Sequence, residues 1–245
     1  MLLPPQSVHL DELAVAVPDF IRYPTIRQLA ERVQHETLNA VTSPALYDAN
    51  NTSLSERILD SLYQTPIADA SVLVAITHER HPKLLLTRRA AHMNSHADEV
   101  SCAGGKHEAG DGNNVVTALR EACEETALPP NKVQLLGQLP IQTSKSGMSV
   151  RPIVALIAPD LLLVPELAEI SRIFWADFET LLTQPTVEYA VEYTMQNQTA
   201  TILTPSWQVD GETIWGLTGR VIASLLETGF DRQLEWYYRI QDTRN

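Results

Sequence analysis

Glu121, Glu124 and Glu125 stand at i, i+3 and i+4 in the run from Val115 to Leu128. In a helix that spacing sends all three carboxylates from one side. The arrangement is locally unfavourable. Like charges at this spacing repel by roughly 0.2–0.5 kcal/mol per pair. Anions in the last two turns also oppose the helix dipole, by about 0.3–1 kcal/mol each. Arg120, four residues before Glu124, offsets part of this. A bound cation reverses the balance, because hard divalent ions take carboxylate oxygens.

A glutamate-rich helix by itself is more often a solvated acidic face. Here it shares one short span with Gly104-Gly105 and with a second acid pair, Glu108 and Asp111. Glycine removes the side chain where backbone must approach a metal or a phosphate closely. The conjunction favours a cation site over a solvated surface.

The chain around this segment is 245 residues long, with 18 Lys and Arg against 30 Asp and Glu, a formal charge of −12. With 44% hydrophobic and 20% charged residues it reads as an ordinary folded chain. The acidic balance argues against non-specific nucleic-acid binding, which needs clustered Lys and Arg. No apolar run reaches the roughly 18 residues of a membrane span; the longest, Ile153 to Val164, is broken by Pro159 and Asp160. The opening MLLPPQSVHLDEL has no basic region followed by a sustained apolar one, as an export signal requires. Two cysteines, Cys102 and Cys123, are too few for a disulfide scaffold. The expectation is a cytoplasmic protein with neither membrane nor nucleic acid as partner.

The elements that would position the acids follow from pattern. Residues 1–65 read as a helical extension packed on the core: Ile26, Leu29, Val33 and Leu38 share one helical face, and LSERILDSLY forms a second short helix after the loop TSPALYDANNTS. The core, residues 66–245, opens with Val72 to Ile76, an apolar run suited to a strand buried on both faces. Leu84 to Thr87 is its partner across the turn His78 to Pro82. Residues 114 to 127 form the carboxylate helix, with Val115, Leu119, Ala122 and Thr126 inward and Pro129-Pro130 beyond its end. Strands follow around Val133–Leu139 and Pro152–Ile157, then a helix from Trp175 to Leu182, a β-like stretch from Thr199 to Leu203 and a final helix near Leu217 to Leu226. Mixed strands and helices in this order predict an α/β layered sandwich.

The carboxylate segment resembles the box of the Nudix hydrolases, G-x5-E-x7-R-E-U-x-E-E-x-G-U, where U is bulky and apolar. Gly105 takes the first position, Asp111 the acidic one and Arg120 to Glu125 the R-E-U-x-E-E, with eight residues instead of seven after Asp111. That spacing is similar to the coenzyme A pyrophosphatase subgroup. LLLTRRA, EISRIFW and IWGLTGRVIASLL extend the likeness over roughly residues 65–228.

The resemblance implies a Nudix-type α/β/α sandwich with a mixed sheet that cleaves a diphosphate in a nucleotide-containing small molecule, using Mg²⁺ or Mn²⁺. Metals neutralise the diphosphate oxygens and activate water. By position, Glu121 and Glu125 would be the main metal ligands, Glu124 a further or supporting one, and the Gly104 carbonyl would complete the sphere. Arg120 would orient Glu121. The resemblance places the general base either in the box or on a later loop, where Glu169 is the candidate; an exposed acid flanking a helix is an equal alternative for Glu169. Arg88, Arg89, Lys106 and His96 are the candidates for contact with the substrate. For the arginines a surface ion pair is an equal alternative. Coenzyme A or a derivative is the leading substrate. Another nucleoside diphosphate linked to X, such as ADP-ribose, and a non-catalytic binding module are the alternatives. A homodimer stays open.

The segment before the box departs from the subgroup's L-R-x-H-x-G-Q-x-x-F-P-G-G. Asn94 replaces the arginine, Asp98-Glu99 the G-Q and Cys102-Ala103 the F-P, a swing of three charge units toward negative. Ala127 stands where the box ends in glycine, and alanine fits poorly if that position needs a positive φ. Cys123 is assigned to the apolar side of its helix; Glu124 and Glu125 beside it have the wrong sign to activate a thiolate. The four tryptophans are assigned to packing.

Overall fold

The computed structural model describes residues 13–40, 52–93, 96–195 and 198–241. The opening residues, the loop assigned to TSPALYDANNTS as far as Asn51, and Asn94 lie outside them.

In chain order the elements are β1 (Ala14–Val15), α1 (Pro24–Asn39), α2 (Leu54–Gln64), β2 (Ala70–Thr77) and β3 (Lys83–Arg89). Next come β4 (Val100–Ser101), β5 (Gly104–Lys106), α3 (Asn114–Thr126), β6 (Val133–Gln138), β7 (Gln142–Thr143) and β8 (Ser149–Ile157). The last third holds β9 (Ile170–Asp177), α4 (Phe178–Thr183), β10 (Val187–Met195), β11 (Gln198–Val209), β12 (Glu212–Ile214), α5 (Gly216–Phe230) and β13 (Arg239–Ile240).

The main sheet runs β1-β6-β8-β2-β3-β4, with β5 on β2, β7 on β8 and β9 on β3. It is mixed: β8 is parallel to β2 from Ala70↔Val150 to Thr77↔Ile157, whereas β3 and β9 pair antiparallel. Period-two alternation in β2 divides the core. Leu73 and Ala75 meet Val115, Ala118, Leu119 and Ala122 of α3, together with Ile58 and Leu62 of α2. Val74 and Ile76 belong to the opposite cluster, with Ile26, Leu29 and Val33 of α1 and Ile222, Leu225 and Leu226 of α5. Helices on both faces of a mixed sheet make the expected α/β/α sandwich.

Local signals place the helices. Ser53 and Glu56 form a reciprocal capping box at the start of α2. The Asn113 side chain accepts from the Val116 N–H and caps α3. α3 ends at Ala127, whose φ of 56° is left-handed, the conformation in which alanine fits poorly.

The helix assigned to Trp175–Leu182 is corrected. Trp175 and Ala176 continue strand β9 opposite Leu85 and Leu84, and only the turn from Phe178 to Thr183 is helical, capped by Asp177. Cross-strand pairing with β3 outweighs the helical pattern of so short an apolar run. The β-like stretch at Thr199–Leu203 lies within β11, in a long hairpin with β10.

Candidate active site

The glycine pair serves two separate contacts. A Cβ on Gly104 would stand 2.4 Å from the Ser71 carbonyl oxygen and 2.6 Å from the Val72 Cα, so glycine lets β5 close onto β2. A Cβ on Gly105 would stand 2.4–2.5 Å from the carboxyl atoms of Glu121, so that carboxylate occupies the space an ordinary side chain would fill.

Arg120 organises the face of α3. Its Nε donates to Asp111 Oδ1 at 2.8 Å and its Nη2 to Asp111 Oδ2 at 3.0 Å, a two-pronged pair. Nη1 lies 3.0 Å from both Glu121 Oε1 and Glu124 Oε2, and Nη2 also donates to the Lys106 carbonyl. Asp111 accepts from Thr117 Oγ1 and from the Glu108 N–H as well. One guanidinium therefore links the loop acid, two helix acids and β5.

Glu125 lies deeper, 3% exposed. It accepts the Gly104 N–H at 3.1 Å and faces Arg89 at 3.7 Å, beyond hydrogen-bond reach. Burial pushes its carboxyl up to about 8; the Gly104 N–H and Arg89 pull the other way, and Glu121 and Glu169 add to the rise. Glu121 is raised too, first by burial, against Arg120, with Glu124 and Glu169 adding. Glu169, assigned to a later loop, is exposed, and its charge is the last of the effects that raise these two carboxyls. The loop reaches them because the Val164 N–H donates to the Thr126 carbonyl and the Glu166 N–H to the Glu125 carbonyl, filling open acceptors at the end of α3.

The candidates for substrate contact are held differently. Arg88 donates to Asp98 at 3.0 Å and to Glu212, which Arg172 also bonds at 2.9 Å. Arg88 and Arg172 face each other across β3 and β9; Glu212, 6% exposed, offsets the like-charge contact. His96 Nδ1 lies 2.8 Å from Glu99 Oε2. The two acids added before the box therefore each have a partner inside the chain. Asp98, in the subgroup's glycine position, has a φ of 60°, which Asp tolerates better than most residues. Lys106 is exposed at the end of β5. Sequence reasoning did not single out Glu212, which sits in no local motif. The role of Thr117 follows only from its contact with Asp111.

Two assignments away from the carboxylates change or gain detail. Cys123 is half-buried and not part of the core, while Cys102 is buried, its thiol pushed up to about 12 by burial first and by Glu125 second. Trp207 is buried on β11 and stacks on Trp236 at 5.5 Å.

Among the described residues, no three His, Cys, Asp or Glu side chains converge closely enough to hold an ion as they stand. Their chemistry nevertheless fits a hard divalent cation: oxygen donors only, and in Glu125 a buried carboxylate without a bonded cation.

A mixed sheet between helical layers, with a glycine pair set against a carboxylate helix, is the architecture of a Nudix-type hydrolase. The profile of the NUDIX domain matches residues 68–196, and the chain belongs to that family, the Nudix hydrolases, which act on diphosphate bonds. Two relatives are called uncharacterized Nudix hydrolase NudL. The one from Photorhabdus laumondii is 38% identical over 158 residues, 64% of this chain and 83% of the relative. The one from Pectobacterium atrosepticum is 38% identical over 156 residues, 64% and 80% of the two chains. A MutT/nudix family protein from Enterococcus faecalis superposes with a TM-score of 0.40 at 14% identity, over 78% of this chain and 70% of that one; a likeness at this level adds nothing to the assignment. No helix among the described residues is long and apolar enough to cross a membrane.

Proposed function

We propose that the chain hydrolyses the diphosphate of coenzyme A or a derivative, giving adenosine 3′,5′-bisphosphate and a phosphopantetheine product. The observation that carries the reading is Glu121 filling the space that Gly105 leaves open, with Glu125 buried on the Gly104 N–H and Arg120 bracing Glu121 and Glu124. Glu121 and Glu125 would hold Mg²⁺ or Mn²⁺, helped by Glu124 and the Gly104 carbonyl. The metal, when bound, supplies neutralisation of the diphosphate oxygens and a more acidic water. Arg120 keeps Glu121 in one orientation through their 3.0 Å contact. Glu169 accepts the proton of the attacking water. Arg89, 3.7 Å from Glu125, would meet a diphosphate oxygen.

A second reading, a nucleoside diphosphate linked to X such as ADP-ribose, is favoured by one observation. Arg88 and His96, expected to meet substrate, are engaged by Asp98, Glu212 and Glu99. That leaves less positive charge for a third phosphate. Incubation with Mg²⁺ and each compound, with products resolved by mass, separates the two. Cleavage of coenzyme A supports the first reading, and cleavage of ADP-ribose alone replaces it with the second.

A further inference from the structure

Most basic side chains around the box are engaged. Arg120 serves Asp111, Glu121 and Glu124, Arg89 faces Glu125, and Arg88 and Arg172 share Glu212. That last cluster is closed to another anion, because Glu212, Asp98 and Asp210 already outnumber its two arginines. Lys106 is different. No ion pair among the described residues includes its ammonium group, while its backbone is fixed by pairing with Ala70 and by the bond from Arg120 to its carbonyl.

Lys106 lines an open cleft of about 590 Å³ at the start of the central strand, within the size range of small-molecule sites. Ile67, 53% exposed, and Met148 supply apolar walls, and Gly147 leaves the rim low. The one carboxylate in the lining, Asp69, accepts from the N–H and hydroxyl of Ser149. None of the α3 carboxylates lines the cleft; it joins the box through Arg120, which donates to the Lys106 carbonyl, and through His107 of the lining, which bonds Thr117 of α3.

We propose that this cleft receives the nucleoside-phosphate half of the substrate, with Lys106 on a phosphate and Ile67 and Met148 along the faces of the base. A cation beside polarizable apolar walls suits an anionic group joined to a flat ring. The assignment rests on the diphosphatase reading and adds which half of the substrate lies where.

Binding without divalent metal tests it separately from hydrolysis. Adenosine 3′,5′-bisphosphate, adenosine and inorganic phosphate are titrated by calorimetry into the full chain and into Lys106→Ala and Met148→Asp. The expected result is a loss of bisphosphate affinity of about tenfold or more in each variant, about 1.4 kcal/mol, with adenosine affinity reduced only by Met148→Asp. With metal, Lys106→Ala should raise KM while kcat stays within about twofold. Equal bisphosphate binding by wild type and both variants overturns the proposal. Inorganic phosphate binding as tightly as the bisphosphate overturns the base contact. If the bisphosphate binds through Lys106 but no diphosphate is ever cleaved, the hydrolytic reading fails, while the cleft's binding of a nucleoside phosphate stands.

Discussion

Gly105 and Glu121 fit by subtraction: the Cβ that Gly105 lacks would lie 2.4 Å from the Glu121 carboxyl carbon. The atom in the way is the end of a flexible side chain, so Gly105→Ala moves the carboxylate and spares the backbone. Displacing a catalytic group by about 1 Å costs on the order of 100-fold in rate. Gly105→Ala should therefore lower kcat about 100-fold with little change in Tm. At Gly104 the obstacle is the backbone of Ser71 and Val72, so Gly104→Ala should destabilise by about 1–3 kcal/mol. Thermal unfolding and steady-state kinetics on both variants check the contrast.

Ala127 occupies a left-handed position at the end of α3, with φ 56°. A non-glycine residue there costs roughly 1–2 kcal/mol, partly returned by the lower entropy of unfolded alanine. Ala127→Gly should stabilise by about 0.5–1 kcal/mol and raise Tm by about 1–4 °C for a chain of this size. A fall in Tm on calorimetry would count against strain at this turn.

The carboxylate helix was legible because its signals are local: periodicity, the spacing of three acids and the glycines before them. The backbone at Ala127 was legible only as a question, since alanine replaces the box glycine and its φ is 56°; the φ of 60° at Asp98 had no sequence signal. The arrival of Glu169 beside α3 depends on hydrogen bonds from the 164–166 backbone to the end of the helix, which no pattern of side chains encodes. The partnership of Arg88 with Glu212 joins residues 124 apart in sequence. Trp175–Leu182 misled because a short apolar segment has no period strong enough to separate strand from helix, and pairing with β3 decided it.

Asp111 ties Arg120 to the loop before α3. Burial pushes its carboxyl up, but the hydrogen bonds from Arg120, Glu108 and Thr117 and the charge of Arg120 outweigh it, leaving the carboxyl below its usual range. A depressed carboxyl contributes stability above its unfolded pKa, about 3.9, and loses it as pH falls through the folded value. Asp111→Asn should cost about 1.5–3 kcal/mol at pH 7. The gap to wild type should narrow below about pH 4. Denaturant unfolding at a series of pH values checks both the size and the narrowing.

The two cysteines should separate by burial. Cys102 is fully enclosed and its thiol is held at about 12, while Cys123 is half-buried and raised by burial first and Glu124 second. At pH 8 a thiol reagent should label one site per native chain, Cys123, more slowly than a free cysteine. The second site should react only on unfolding. Mass spectrometry of the labelled chain reads the outcome, and labelling at Cys102 first would contradict the burial pattern.

The central claim, that the acids of α3 gather a divalent cation for hydrolysis, is tested most directly by titrating Mn²⁺ calorimetrically into wild type, Glu121→Gln and Glu125→Gln. Wild type should bind, and each variant should lose at least about tenfold in affinity, equivalent to 1.4 kcal/mol. Equal Mn²⁺ affinity in all three proteins would contradict it.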